Sequence, residues 1–299
     1  MSVLSRSYYR LCETRIGHRA VRAVLKGVRR VGALGDFYLP IDALDLDHEA
    51  VAALMRLWRR IHWSSGDGMM PPRQLLALYR MAATWPLDGD TVELGAWTGL
   101  TTCYLAAAAR LRGDGRVFAV DTFEGTKEGG GRYESIEKYH GTTLPAFEYR
   151  IAQAGLLDFV STVIGDSASS ASRYTGGPIR LLLIDADHSY EGVRRDFDAW
   201  APLVAPGGLV VFHDYLMSEA GVARFVNENV AVHPQFVIAP GHVTPNVMVV
   251  TRRTTAAVTT PRSAPVSTTA WMAQAIAARH EPSAPSLARQ EDHYVTHEG

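Results

Sequence analysis

Six short apolar runs recur along the chain, at residues 92–94, 117–120, 160–164, 181–184, 209–212 and 247–250. Bounded by polar and glycine-rich stretches and dominated by Val, Leu and Ile, they read as buried strands. Four segments separate the first five runs, at 100–111, 144–154, 167–174 and 192–203, and each reads as a helix. Strands that alternate with helices at this spacing predict a parallel sheet with helices on both faces. A helix over 219–229, a strand near 236–238 and a last strand over 246–251 complete the expectation. The predicted fold class is α/β, a doubly wound, mostly parallel, seven-stranded sheet.

Further helices are predicted at 48–61 and 72–85, with the small-residue segment 64–70 between them as a loop able to fold over a ligand. Residues 3–28 repeat apolar positions at helical spacing among arginines, which predicts one or two basic amphipathic helices. Beyond Arg253 the chain turns to Thr, Ala, Pro and Ser, the composition of a disordered tail, with one short helical patch at 271–278. The expected organisation is therefore basic helices and lid over 1–70, a catalytic domain over 71–252, and a tail over 253–299.

Composition narrows the classes. A chain of 299 residues with 47% hydrophobic content can bury one large core. Its net charge of -1 gives no reason to expect nucleic acid as a partner. The charge is uneven, since residues 1–30 carry seven Arg and Lys26 against Glu13 alone. Those helices read as a lid or oligomer contact, which leaves a homo-oligomer open, and peripheral contact with an anionic membrane is the alternative. Cys12 and Cys103 have neither metal spacing nor a disulfide framework. With no signal-peptide core and no apolar stretch long enough to span a bilayer, a soluble cytoplasmic protein is expected.

Chemistry gathers where the apolar runs stop. The first ends in Glu93-Leu94-Gly95-Ala96-Trp97-Thr98-Gly99, a turn whose glycines allow a ligand close to the backbone at a helix N-terminus. Glu93 would repel a pyrophosphate and suits a ligand that carries a cation, and Trp97 departs from the three-glycine dinucleotide fingerprint. The second run ends in Asp121-Thr122-Phe123, where an acidic side chain can accept both hydroxyls of a ribose. The third ends in Gly165-Asp166-Ser167, which reads equally as a helix cap. The fourth and fifth end in Asp185-Ala186-Asp187-His188 and His213-Asp214-Tyr215. Strands lie about 4.8 Å apart, so Asp185, His213 and Asp214 can converge on one point.

The order of these motifs, with Tyr190-Glu191-Gly192-Val193, Trp200 and Pro206-Gly207-Gly208 between the last two, resembles class I S-adenosylmethionine-dependent methyltransferases, which have a Rossmann-like sheet. It is similar to the branch that includes small-molecule and sugar O-methyltransferases. The resemblance covers roughly residues 70–250. It implies S-adenosylmethionine as cofactor, with Glu93, Gly95 and Gly99 at the methionine part, Asp121 at the ribose, Asp166 and Ser167 at the adenine, and Phe123 packed on the adenine ring. In metal-dependent relatives the positions of Asp185, His213 and Asp214 supply the ligands. Several of those relatives carry an acidic residue where His213 stands, so an imidazole there weakens the case for magnesium and favours manganese, a later transition ion, or no metal.

Methylation of an oxygen by a sulfonium donor requires the acceptor to be held in line and its proton removed. A divalent cation on Asp185, His213 and Asp214 would serve both ends. Without one, His213 paired with Asp214, or His188 beside Asp185, is the candidate base. His188 also reads as a loop histidine bonded to backbone. The expected function is methyl transfer from S-adenosylmethionine to a hydroxyl of a small-molecule acceptor, a sugar or glycosylated metabolite. The alternatives are a nucleotide-dependent oxidoreductase on the same type of sheet and a noncatalytic module that binds an adenosyl ligand.

Overall fold

The apolar runs form seven strands, β1 (Asp90–Leu94), β2 (Val117–Asp121), β3 (Val160–Ile164), β4 (Ile179–Ile184), β5 (Val204–Phe212), β6 (Phe236–Ile238) and β7 (Met248–Arg252). This computed structural model describes residues 70–125, 134–216, 221–239 and 246–254, together with Leu54, Leu57, Arg60 and Ile61. The predicted basic helices at 3–28, most of the segment 48–69 and the tail beyond residue 254 lie outside the described residues. Leu54, Leu57, Arg60 and Ile61 are helical, as the expected helix over 48–61 requires.

The strands join in the order β3-β2-β1-β4-β5-β7-β6. β1 to β5 run parallel, and β7 enters antiparallel between β5 and β6. The sheet is thus mixed at one edge. Strand order reverses between β1 and β4, which opens a crevice at the carboxyl ends of the parallel strands, where ligands bind in folds of this kind.

Helices α1 (Pro72–Thr84), α2 (Leu100–Arg112) and α3 (Leu144–Ala154) pack on one face of the sheet. Their buried side chains share a core with Val117, Ala119, Leu181, Leu183, Leu209, Val211 and Val249. The alternate residues of the same strands point to the other face, where the Phe197 ring of α4 (Tyr190–Trp200) meets Phe212 at 5.9 Å. Also on that side, Phe225 of α5 (Gly221–Phe225) packs on Phe197 at 5.6 Å. Burial on both faces explains why the central runs are continuously apolar rather than alternating.

Several boundaries differ from expectation for local reasons. The helix expected over 167–174 is a 3₁₀ turn at Ser169–Arg173, because the side chain of Asp166 takes the Ser169 N–H and its carbonyl takes the Ser170 N–H. α4 starts two residues early, since Ser189 caps it by accepting from the Gly192 N–H at 3.0 Å. β5 begins at Val204, so Pro206-Gly207-Gly208 lies inside the strand rather than before it. The helix expected over 219–229 is α5 followed by a π-helical turn at Val226–Val230.

Leu182 is fully buried in the middle of β4. Leu182→Ala is expected to lower the unfolding free energy by about 2–5 kcal/mol, read by urea denaturation, and a loss below about 0.5 kcal/mol would contradict this placement.

Candidate active site

The parallel ladder runs one residue past each strand, and that extra rung builds the site. The Gly95 N–H donates to Val120, that of Gly165 to Asp121, that of Asp185 to Leu94 and that of His213 to Ile184, at 2.9–3.1 Å. Four strand ends therefore stop on one line. Above them opens a cavity of about 730 Å³, lined by Met70 and Pro71, the 95–98 turn, Asp121 and Thr122, Gly165 to Ser167, Asp185 to His188, and His213, Asp214 and Asn246. Its size is that of a small-molecule site.

At one end the 95–99 turn leaves β1 through left-handed backbone at Gly95, Trp97 and Gly99. Gly95 is required there, because a Cβ would lie 2.1 Å from the Asp185 carbonyl oxygen. Asp121 binds this turn to its own, accepting from the Trp97 N–H and the Phe123 N–H at 2.7 Å each. Burial pushes the Asp121 carboxyl above its ordinary range, and these N–H groups oppose that. The Ala96 and Thr122 N–H groups act on the same carboxyl, so Asp121 ties the two turns together at the cavity wall.

Glu93 does not line the cavity. It lies beneath α2, only 1% exposed, and accepts from the Thr102 hydroxyl at 2.5 Å. Burial pushes its carboxyl up to about 8, against the Thr102 bond and with help from Asp185 and Asp121. Phe123 also departs from expectation. Left-handed backbone at this residue turns its ring into the core against Phe147, at 5.1 Å, rather than into the cavity. Gly99 faces the same Phe147 ring, while Thr122, Asp166 and Ser167 do reach the cavity.

At the other end Asp185, His188 and Asp214 offer ligand atoms that all lie within 4.8 Å of one another. The His188 Nε2 stands 3.5 Å from Asp185 and 3.3 Å from Asp214. His188 is fixed from behind, because Gly221 packs so closely on its carbonyl oxygen that a Cβ there would come within 2.0 Å. Asp214 has left-handed backbone, and the buried Asn246 donates to it at 2.6 Å.

His213 is the main departure. Both its ring nitrogens are already engaged, Nδ1 with Asp185 at 2.8 Å and Nε2 with Gln74 of α1 at 2.7 Å. Burial opposes a charge on this ring, but Asp185 and Asp214 outweigh it and push the imidazolium up to about 10. Burial likewise raises Asp214, yet the His213 hydrogen bond and charge, with Asn246 and His188, hold it at about 2. His213 thus lies between Asp185 and Gln74, and His188 is the imidazole whose ligand atom groups with those of Asp185 and Asp214. Sequence reasoning missed Gln74 and Asn246. Neither sits at the end of a parallel strand, which was the signal for every other candidate.

Residues 92–215 match the family described as a methyltransferase domain. This segment carries the strand ends of β1 to β5 that line the cavity. Among its relatives is a tetracenomycin-C rhamnosyl 4'-O-methyltransferase of Streptomyces olivaceus, 29% identical over 144 residues, covering 43% of this chain and 54% of that protein. An uncharacterised protein, y4gI of Sinorhizobium fredii, is 32% identical over 146 residues, covering 48% of this chain and 15% of that protein. The chain spans about half or less of the length of these curated relatives. The solved structure of the O-methyltransferase NovP shares the fold, at a TM-score of 0.53 and 18% identity, covering 67% of this chain and 88% of that one.

Because folded Glu93 keeps a proton that the unfolded chain releases near 4.5, stability should fall as pH rises from there to about 8. Glu93→Gln is expected to flatten that slope, measured by urea midpoints across the window. An unchanged slope would contradict a buried, protonated Glu93.

Proposed function

We propose that the chain transfers the methyl group of S-adenosylmethionine to a hydroxyl of a small molecule, a sugar or glycosylated metabolite. The observation that carries this reading is a single cavity with an acceptor for a ribose at one end and a cluster of two carboxylates and an imidazole at the other. A donor with its ribose on Asp121 and its adenine toward Asp166 and Ser167 would leave its methyl group facing Asp185, His188 and Asp214. The sugar acceptor is supported by the relative that methylates a rhamnosyl group.

In this reading His188 accepts the proton of the acceptor hydroxyl as the oxygen attacks the methyl carbon in line. The breaking carbon–sulfur bond returns its electron pair to sulfur, releasing S-adenosylhomocysteine. Asp185 and Asp214 stabilise the imidazolium as it forms, and the Gln74–His213 pair holds Asp185 in place.

The closeness of the three ligand atoms favours a second reading, in which a divalent cation is held by Asp185, His188 and Asp214. Such an ion would lower the pKa of a bound acceptor hydroxyl. Its mixed oxygen and nitrogen donors suit manganese better than magnesium.

Both readings are tested by methyl transfer to a panel of glycosylated small molecules, with products identified by mass spectrometry. Full turnover after chelation would assign the proton to His188 alone, and loss restored by manganese would establish the cation. In either case His188→Ala is expected to lower turnover by about 100-fold or more while calorimetry finds S-adenosylhomocysteine bound as tightly as before. Lost S-adenosylhomocysteine binding in this variant would place His188 in the donor half and overturn the assignment.

A further inference from the structure

Helix α4 follows β4, yet one of its faces grips the turn that ends β3. The Ser167 hydroxyl donates to Asp196 at 2.6 Å, and the Trp200 indole N–H donates to the Ser167 carbonyl at 2.8 Å. Arg195 spans the Asp166 and Asp187 carboxylates, at 3.9 and 3.7 Å. Asp196 itself is 2% exposed, and its Oδ2 has no partner among the described residues. A buried carboxyl with only half of its capacity used is costly unless it does something else.

These bonds decide what Ser167 can offer a ligand. Its hydroxyl proton is committed to Asp196 and its carbonyl accepts from Trp200, so the hydroxyl offers the cavity no donor. Its backbone N–H, which has no partner among the described residues, is the donor left over. Beside it, Asp166 accepts from both the N–H and the side chain of Ser169, and its half-exposed carboxylate stands 3.9 Å from Arg195. One residue thus presents a donor and its neighbour an acceptor. That pair complements a 6-aminopurine edge, with its ring-nitrogen acceptor and amine donor, and mismatches a 6-oxopurine edge, where both are reversed.

We infer that Asp196 is a positioning residue for the donor's purine: by holding the Ser167 hydroxyl down, it reserves the Ser167 N–H for the ring and sets the preference for adenine. This rests on the reading that Asp166 and Ser167 face the adenine of S-adenosylmethionine. Burial pushes the Asp196 carboxyl up to about 7, against the Ser167 hydrogen bond and Arg195 and in concert with Asp166 and Asp187. The neutral acid is therefore accessible, and an asparagine amide imitates its shape and its acceptor oxygen.

The test is calorimetric binding of S-adenosylhomocysteine and of S-inosylhomocysteine, its 6-oxo analogue, to the full chain. Wild type is expected to prefer the adenine compound by about 10-fold, the worth of a matched polar pair whose acceptor, Asp166, is half-exposed. Asp196→Ala should bring that ratio down toward one, whereas Asp196→Asn should keep it within about threefold of wild type. Ser167→Ala, which cuts the same bond from the other side, should reproduce the loss and decides the matter if Asp196→Ala does not melt cooperatively. An unchanged ratio in the alanine variants, even with both affinities lowered together, would reduce Asp196 to a structural role and overturn the inference. If wild type binds neither compound, the donor reading fails first and the inference with it.

Discussion

The site depends on the register of the parallel ladder. Leu94 pairs with Val120 and with Ile184, and Ile184 pairs with Phe212, so the strands end level with one another. A shift of one residue in any of them would send its terminal carboxylate or imidazole to the opposite face of the sheet. Register is in turn held by burial, because both faces of β1, β4 and β5 are covered and a slip would exchange two packed surfaces. Core and chemistry are therefore set by the same constraint.

Within that frame the two ends of the cavity treat charge differently. Toward β1 and β2, Asp121 at the cavity wall and Glu93 beneath it have no ion pair among the described residues, and burial raises each carboxyl above its ordinary range. Such groups gain most from a ligand that brings positive charge, which a sulfonium donor does. Toward β4 and β5, His213 sits beside Asp185 and Asp214, and the two carboxylates push its imidazolium pKa up to about 10. His188 is then the imidazole that lines the cavity beside the same two carboxylates.

Much of this was legible in the sequence because parallel strands buried on both faces produce unbroken apolar runs, and polar residues at the ends of such runs stand out. The strand positions, most of the helices between them and the place of Asp121, Asp185 and Asp214 at strand ends followed from that contrast. The relative placement of the two imidazoles did not, because it is set by contacts remote in sequence. Gln74, on α1, captures the His213 ring from 139 residues away, and Asn246 reaches Asp214 only because β7 inserts antiparallel beside β5. Phe123 was misdirected by backbone, since its left-handed conformation turns the ring away from the cavity and no local signal marks a phenylalanine for it. Asp196 carries no signal in the sequence, because its burial and its bond to Ser167 come from the packing of α4 against the turn after β3.

The central claim is that donor and acceptor occupy opposite ends of one cavity, in the order the strand ends dictate. A crystal structure with S-adenosylhomocysteine tests it most directly. The account predicts ribose hydroxyls on Asp121, the purine beside Asp166 and Ser167, and the sulfur facing Asp185, His188 and Asp214. A ligand bound the other way round, with its purine among Asp185, His188 and Asp214, or one bound outside this cavity, would contradict it.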